Sequence, residues 1–357
     1  MMQRTYLDWN ATAPLRPEAQ AAMLAAMDCR GNPSSVHAEG RAAKAIIERA
    51  RIQVASLIGC APHDIIFTSG ATEAARLWFA DQTGLSAAGI EHDAVYAAVS
   101  GARDAIILPV DATGQVQAAP GAPLSALQAA NSETGVIQRQ LGRRHIGMSD
   151  VTQLVGKAAF DFTTCWADAV ILSAHKFGGP KGAGALVLNQ GVALYATPAG
   201  GGQELGRRPG TENVIGIAGF GATAAAAGRD LANGVWDEVA ERRDQFEAEL
   251  RDQAPDAMII GAASPRLPNT TCLALAGWKG ETQVMQMDLA GFAVSAGSAC
   301  SSGKVRISRV LRAMGHDDTT AASAIRISIG PATKTADLRN FADAWLNLYR
   351  RFRAKAA

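Results

Sequence analysis

The chain has 357 residues, and its 34 Lys and Arg nearly balance its 33 Asp and Glu, which leaves a net charge of +1. This length is enough for two domains and a large core. The neutral balance argues against a nucleic-acid-binding face spread over the molecule, and no apolar run is long enough to cross a bilayer. We therefore expect neither a membrane nor a direct nucleic-acid partner.

Cysteine usage predicts the compartment and argues against a metal site. The five cysteines are odd in number and widely scattered, which is typical of free thiols in a reducing cytoplasm. No Cys-x-x-Cys pair and no histidine pair with helical spacing occurs, so a structural zinc site is not expected. We predict a cytoplasmic protein without a bound metal.

Helical and strand patterns alternate along the chain, which favours an α/β fold. Apolar residues at helical spacing predict helices over 17–27, 38–58, 214–253 and 336–352. Short apolar runs predict strands over 65–68, 105–110, 124–130, 169–172, 183–188, 272–275, 292–295 and 325–329.

The end of the strand 169–172 carries the main candidate for catalysis, Lys176, in the run 173–181 (Ser-Ala-His-Lys-Phe-Gly-Gly-Pro-Lys). Ligands of α/β proteins bind at the carboxyl ends of strands, and a lysine there can form a covalent bond with an aldehyde. A solvated loop lysine is the alternative, and it describes most lysines. Asp150 and Gln153 lie upstream, and pyridoxal phosphate needs both a lysine and a carboxylate that faces its pyridinium nitrogen.

Two further turns hold candidate ligand-binding residues. Residues 69–72 (Ser-Gly-Ala-Thr) lead into a helix, where backbone N–H groups and the Thr72 hydroxyl suit a phosphate. An ordinary helix N-cap explains the same residues equally well. His92 follows a Gly-Ile-Glu run, and a lone histidine is more often structural than catalytic.

Two residues in the last third of the chain are candidates for a catalytic or a substrate-binding role. Cys300 sits in a small, polar, glycine-rich stretch typical of a loop, and its lack of apolar neighbours makes burial a poor explanation for it. Lys304 and Arg306 lie nearby and would favour its thiolate. Arg326 lies inside an apolar strand, where it suits either bidentate recognition of a carboxylate or a structural ion pair.

Taken in order, these motifs resemble the cysteine desulfurases of the class V aminotransferase group, in particular the long-loop type. The resemblance runs over nearly the whole chain, and any one motif alone would be weak. It is carried by residues 6–12 (Tyr-Leu-Asp-Trp-Asn-Ala-Thr), 31–37 (Gly-Asn-Pro-Ser-Ser-Val-His), 67–73 (Phe-Thr-Ser-Gly-Ala-Thr-Glu), 91–92 (Glu-His), 131–135 (Asn-Ser-Glu-Thr-Gly), 173–182 (Ser-Ala-His-Lys-Phe-Gly-Gly-Pro-Lys-Gly), 206–213 (Gly-Arg-Arg-Pro-Gly-Thr-Glu-Asn) and 295–303 (Ser-Ala-Gly-Ser-Ala-Cys-Ser-Ser-Gly).

The resemblance implies a fold and an assembly. It implies the type I fold of pyridoxal-phosphate-dependent aminotransferases, with a large domain over 15–255 that contains a mostly parallel sheet. A smaller α/β domain would combine residues 1–14 with 256–357 and carry the cysteine loop. It also implies a homodimer in which Thr211 reaches the phosphate of the neighbouring subunit, although Thr211 also suits a helix N-cap.

The resemblance further implies an activity, the conversion of L-cysteine to L-alanine. Lys176 would bind pyridoxal phosphate, His92 would stack on its ring and take part in proton transfer, and Arg326 would hold the substrate carboxylate. Cys300 would carry the sulfur as a persulfide to an acceptor, such as an iron–sulfur scaffold or a thiolation protein. The other implied site residues are Ala71, Thr72, Ser132, Asp150, Gln153, Ser173 and His175 for the cofactor and Asn131 for the substrate.

Three departures from the family keep other functions open. Ser132 replaces a second asparagine, Pro331 stands where relatives often have arginine, and only 17 residues (150 − 133) separate Glu133 from Asp150. We expect a loop there in place of a helix. The alternatives are a related lyase or aminotransferase acting on another amino acid, such as selenocysteine or a kynurenine-like substrate, and a non-catalytic partner that keeps the fold. Cys300 argues against the kynurenine-like substrate, whose chemistry needs no protein thiol.

Overall fold

The computed structural model describes residues 4–119, 121–139, 145–195, 198–297 and 307–356. Its strands are β1 (Thr5–Tyr6), β2 (Ile65–Thr68), β3 (Ser86–Ala88), β4 (Ile106–Leu108), β5 (Ile146–Asp150), β6 (Ala167–Ser173), β7 (Gly184–Leu188), β8 (Met258–Ile260), β9 (Thr270–Ala274), β10 (Phe292–Ala293), β11 (Ser295–Ala296) and β12 (Ala324–Ser328). Its helices are α1 (Pro17–Met27), α2 (Ala38–Ile58), α3 (Ala71–Phe79), α4 (Asp93–Ser100), α5 (Val214–Ala232), α6 (Val235–Gln253), α7 (Gly280–Leu289), α8 (Arg309–Ala313), α9 (Asp318–Ala321) and α10 (Thr335–Ala356).

The central sheet has the strand order β2-β7-β6-β5. β7 runs antiparallel to both neighbours, whereas β5 and β6 are parallel, so β2, β6 and β5 share one direction. Beyond β5, Ala126 bridges Met148 in parallel register and donates a backbone hydrogen bond to Ser86 of β3 (2.9 Å), which itself pairs in parallel with β4. The predicted α/β fold with a mostly parallel sheet is confirmed, and the carboxyl ends of β2, β5 and β6 meet at one edge.

Helices cover both faces of this sheet because successive side chains of a strand point to opposite sides. Ile65 and Phe67 of β2 pack in one core with residues of α2 and α5, while Ile66 packs in another core with residues of α3 and α4. The helices α2 and α5 cross closely at Gly221, where an added Cβ would lie 2.5 Å from the Cα of Ala50. A side chain at Gly221 would therefore push the two helices apart.

A second sheet has the order β11-β12-β9-β8 with antiparallel pairing, and β1 pairs in parallel with β10 beside it. Its core brings Leu7 from the start of the chain together with Trp236 and Phe246 of α6 and Phe341 and Trp345 of α10. The two ends of the chain are thus packed together. The division into a large domain over 15–255 and a small domain made of 1–14 and 256–357 stays a prediction.

The structure differs from the predicted elements in three places. The helical region over 214–253 is two helices, because Gly234 has a left-handed φ of +71° and interrupts the helix between α5 and α6. The segment 124–130 is extended but is held by isolated bridges rather than a continuous strand. The run 292–295 divides into β10 and β11, which pair with different partners. By contrast, α1 and α2 have the predicted bounds.

Residues 131–139 form turns, and β5 begins at Ile146. Within these ranges the described residues contain no helix, as expected for the shortened interval, while residues 140–144 lie outside the described part. In the ranges that the structure covers, no helix is both long and apolar enough to pass through a membrane.

One buried ion-pair cluster ties α6 to the second sheet. Glu247 is 1% exposed and accepts hydrogen bonds from both terminal nitrogens of Arg266 (2.8 and 2.7 Å), from Arg251 (3.1 Å) and from the Thr271 hydroxyl of β9 (2.8 Å). Because every donor faces one carboxylate, removing it leaves several buried groups unpaired at once.

We predict that Glu247→Ala lowers the free energy of unfolding by about 3 kcal/mol, since breaking a buried pair leaves uncompensated charge. The measurement is urea unfolding followed by circular dichroism. Glu241→Ala, on the exposed side of the same helix, is the matched control and should change stability by less than about 0.5 kcal/mol. Equal effects of the two variants would contradict this assignment.

Candidate active site

A cavity of about 450 Å³ opens at the edge where β2, β5 and β6 end. Its position agrees with the general placement of ligand sites in α/β proteins, at the carboxyl ends of strands. Nine of the residues singled out from the sequence line it: Ala71, Thr72, His92, Ser132, Asp150, Gln153, Ser173, His175 and Lys176.

Lys176 ends a short 3-10 turn that begins directly after β6. Its Nζ donates hydrogen bonds to the backbone oxygens of Asn10 (2.9 Å) and Ala11 (3.0 Å), so the N-terminal segment holds the amine at the cavity wall. His175 lies beside it, with Nδ1 3.2 Å from the Thr12 hydroxyl. Burial and the charges of Lys176 and Lys181 lower the pKa of His175 to about 4, so this ring is neutral at neutral pH.

Asp150 closes the neighbouring parallel strand, β5, and therefore faces the same cavity as Lys176. Its Oδ1 accepts a hydrogen bond from the Thr152 amide (2.9 Å), which fixes the carboxylate. Gln153 follows one turn later, and its Nε2 donates to the Asn10 carbonyl (3.0 Å). A carboxylate, an amide and an amine thus come together from two adjacent strand ends.

The opposite wall suits an anionic group. Helix α3 begins at Ala71 and points its first amides at the cavity, with the Thr72 and Ser173 side chains among the lining groups. The turn before it packs tightly on β7: an added Cβ at Gly184 would lie 2.6 Å from the Cα of Gly70. A larger residue at position 184 would therefore push the turn at Gly70 away from β7 and displace this wall of the cavity.

Arg326 lies behind Ser132 and is 3% exposed. It forms a salt bridge with Asp8 (2.7 Å) and donates to the Ser132 backbone oxygen (3.0 Å). Its Nε is buried and has no hydrogen-bond partner among the described residues. The guanidinium thus has a structural ion pair and one unused donor, so both sequence-based interpretations of this arginine remain compatible with its contacts.

Besides Arg326, two predicted residues do not line the cavity. Asn131 is buried in the turn that precedes Ser132, where its Oδ1 accepts from the amides of Glu133 and Thr134 (2.9 Å each) and its Nδ2 donates to Ile90 (3.0 Å). These contacts give Asn131 a structural part in the turn. Thr211 lines a separate cavity of about 170 Å³, which shares Ser69 and Gly182 with the main one.

Cys300 lies outside the described residues, but the residues on either side of its segment, Gly297 and Ser308, are described. The Ser308 hydroxyl donates to Glu133 Oε2 (2.6 Å), and an added Cβ at Gly297 would lie 3.1 Å from the same oxygen. Burial raises the pKa of Glu133 to about 7. Ser308 is therefore hydrogen-bonded to the residue that follows Ser132 of the cavity wall, and Gly297 lies near the same residue.

Sequence reasoning missed several buried polar groups around the site. Asn10 is fully buried and accepts hydrogen bonds on its backbone oxygen and its side chain. Burial raises the pKa of Glu91, next to His92, to about 8, and Gln128 lines the cavity with its Nε2 lacking a partner among the described residues. Lys157 is also buried. Only contacts between distant parts of the chain reveal these residues, because each is an ordinary polar residue in the local sequence.

The donor set fits pyridoxal phosphate. The cavity offers one amine for an aldehyde, a carboxylate for a pyridinium nitrogen, and helix amides with hydroxyl groups for a phosphate. The described residues contain no group of three or more His, Cys, Asp or Glu side chains that could hold a metal ion.

Residues 5–341 match the family described as Aminotransferase class-V. The chain is 38% identical to a cysteine desulfurase of Frankia sp. (strain EuIK1), with 95% of this chain and 89% of that protein covered, and 38% identical to a cysteine desulfurase of Cereibacter sphaeroides, with 94% and 93% covered. A NifS-like protein from Rickettsia africae has a similar structure, with a TM-score of 0.89, 29% identity, and 98% and 100% of the two chains covered.

The structure of SspA in complex with cysteine is also similar, with a TM-score of 0.74 and 25% identity over 92% of this chain and 100% of that one. These similarities confirm the resemblance that the motifs indicated, and they extend it from short motifs to almost the full length. The chain is therefore a member of the cysteine desulfurases within the class V aminotransferase family.

Proposed function

We propose that this protein is a pyridoxal-phosphate-dependent cysteine desulfurase that converts L-cysteine to L-alanine and forms a persulfide on Cys300. The observation that carries this proposal is the meeting of Lys176, Asp150 and His92 in one cavity. Relatives described as cysteine desulfurases cover nearly the whole chain and support the same activity and cofactor.

Each lining group has a part in holding the cofactor. Lys176 would bind its aldehyde, Asp150 would face its pyridinium nitrogen, and His92 would lie against its ring. The phosphate would lie at the start of α3, with Ala71, Thr72, Ser173 and His175 as its partners, while Ser132 and Gln153 would supply further hydrogen bonds. When bound, pyridoxal phosphate supplies a ring that accepts electrons from the Cα–H bond of an attached amino acid.

Side chains of the protein would take up the Cα proton of the substrate and bind the substrate carboxylate. The Lys176 amine is held by two backbone oxygens within the cavity wall, so it can take the Cα proton of the substrate once substrate has displaced it. Arg326, which lies behind the lining residue Ser132, would orient the substrate carboxylate. Asp150 would supply the carboxylate that faces the ring nitrogen.

Sulfur transfer needs a thiolate that reaches the substrate. The Cys300 thiolate would attack the substrate sulfur, forming a sulfur–sulfur bond while the Cβ–S bond breaks, and the carbon fragment would take up protons and leave as alanine. The two thiols are thus converted to one persulfide and one alanine with no outside oxidant. The hydrogen bond of Ser308 to Glu133, which follows Ser132 of the cavity wall, and the proximity of Gly297 to the same carboxylate support a position of this segment beside the cavity.

Partners and location are also proposals. A homodimer would bring Thr211 of one subunit towards the phosphate of the other. The persulfide would pass to an acceptor protein in the cytoplasm, such as an iron–sulfur scaffold or a thiolation protein.

We predict that Lys176→Ala abolishes the visible absorption of bound pyridoxal phosphate and lowers alanine release from L-cysteine by roughly two orders of magnitude or more, because the covalent link and the proton acceptor are both lost. The wild-type protein, loaded with cofactor and supplied with a thiol reductant, should release alanine catalytically. Lys279→Ala, an exposed lysine at the start of α7, is the control and should match wild type. Unchanged absorption in Lys176→Ala would rule out the assigned role.

We predict that Cys300→Ala keeps the absorption of the bound cofactor but lowers alanine release by roughly two orders of magnitude, because no nucleophile accepts the sulfur. Persulfide is measured by mass spectrometry after one turnover without reductant. Cys29→Ala, at a half-buried position in the turn after α1, removes a thiol elsewhere and should leave persulfide formation intact. Undiminished sulfur transfer in Cys300→Ala would remove this cysteine from the mechanism.

A further inference from the structure

Lys157 is a buried lysine in the turn that follows β5, and the mechanism above does not use it. Its side chain is among the largest fully buried ones of the described residues, with 2% of the residue exposed. Its Nζ donates hydrogen bonds to the side-chain oxygens of Asn10 (3.0 Å) and Gln153 (2.7 Å). Both acceptors are neutral amides, so a buried ammonium group here is not neutralised by them.

Burial of the Lys157 side chain at this position disfavours its charged form. Burial, together with the like charges of Lys176 and Arg326, holds the pKa of Lys157 well below its usual range. Short hydrogen bonds to two amide oxygens offset part of the desolvation. The same hydrogen bonds also orient the side-chain amide of Gln153, which lines the cavity.

A glutamine amide has a donor end and an acceptor end, and Lys157 and the Asn10 carbonyl together determine which way this one faces. Lys157 Nζ donates to the side-chain oxygen of Gln153 (2.7 Å), so this oxygen faces the lysine. The Gln153 nitrogen then donates to the Asn10 backbone oxygen (3.0 Å), the same oxygen that Lys176 Nζ contacts (2.9 Å). A reversed amide would place donor against donor at Lys157 and oxygen against oxygen at Asn10.

The amide nitrogen carries two hydrogens, and Asn10 takes only one of them. We propose that Lys157 is a positioning residue that fixes the Gln153 amide so that its nitrogen donates to an anionic oxygen of the bound cofactor. This inference rests on the proposed function, because it assumes pyridoxal phosphate in the cavity. Lys157 acts through Gln153 and does not itself touch the cofactor.

Loss of this donor has a spectroscopic consequence. The visible absorption of the cofactor bound to Lys176 changes with pH as the bound cofactor loses a proton. A hydrogen-bond donor to the ring oxygen favours the deprotonated form, because the negative charge of that oxygen is less compensated in this form. If the Gln153 donor is lost, the pH at the midpoint of this titration rises. The expected rise is about one pH unit, which corresponds to the loss of one hydrogen bond to a charged group. The other charged or titratable groups that line the cavity or adjoin its lining residues include Asp8, Glu73, Glu91, His92, Asp93, Glu133, Asp150, His175, Lys181, Arg208 and Arg326.

The test is a double-mutant cycle on the titration midpoint, with pyridoxal phosphate as the probe. Gln153→Met and Lys157→Met should each raise the midpoint, and the double variant should match Gln153→Met alone, because Lys157 acts only through this amide. Additive shifts would mean that Lys157 acts by its charge and would overturn the proposal. Lys355→Met, an exposed lysine of α10, controls for the loss of a positive charge and should not move the midpoint.

Thermal unfolding of each variant without cofactor separates folding from positioning. If Lys157→Met does not fold, Gln153→Met still decides the matter, because an unchanged midpoint in that variant overturns the proposal and a raised one supports it. Wild-type protein without visible absorption in the presence of pyridoxal phosphate would overturn the proposed function, and the role of Lys157 with it. Absorption with an unmoved midpoint in Lys157→Met would overturn the role of Lys157 alone.

Discussion

The arrangement of the cavity depends on one fully buried side chain, Asn10. Its amide nitrogen donates to the Thr270 hydroxyl (2.8 Å) and its backbone nitrogen to the Ser328 hydroxyl (2.9 Å), which joins the N-terminal segment to the second sheet. Its backbone oxygen meanwhile receives the Lys176 amine from the central sheet. A buried polar network of this kind is stable only when its members are satisfied, so both sheets must be in place before this network is complete.

Positive charge dominates the region around this asparagine. Lys157, Lys176 and Arg326 approach one another closely enough that their like charges act together with burial on the pKa of Lys157, and the low pKa of His175 has the same origin. Asp8 balances only Arg326. A cluster of like charges of this kind suits a ligand that brings a phosphate and a carboxylate, because it attracts their negative charges.

The parts of the site that could be predicted from the sequence are those that leave a signal in the neighbouring residues. Lys176 could be identified because it follows the predicted apolar strand 169–172, and Asp150 could be paired with it because pyridoxal phosphate needs both a lysine and a carboxylate. The break between α5 and α6 was missed, since a glycine within a helical pattern does not by itself reveal its left-handed conformation. The structural parts of Asn10, although it lies in the motif 6–12, and of Lys157 could not be recognised, because they arise from partners far away along the chain.

The packing of the first residues against the last elements also constrains the order of events during synthesis. Asn10 and its partner Ser328 are 318 residues apart. At common rates of translation, roughly 15 to 60 s pass between the emergence of the two from the ribosome. Throughout that interval the N-terminal segment can contact Lys176 and Gln153, but it lacks its partners on the second sheet. The full set of hydrogen bonds around Asn10 is thus a late feature, which belongs to the completed second sheet.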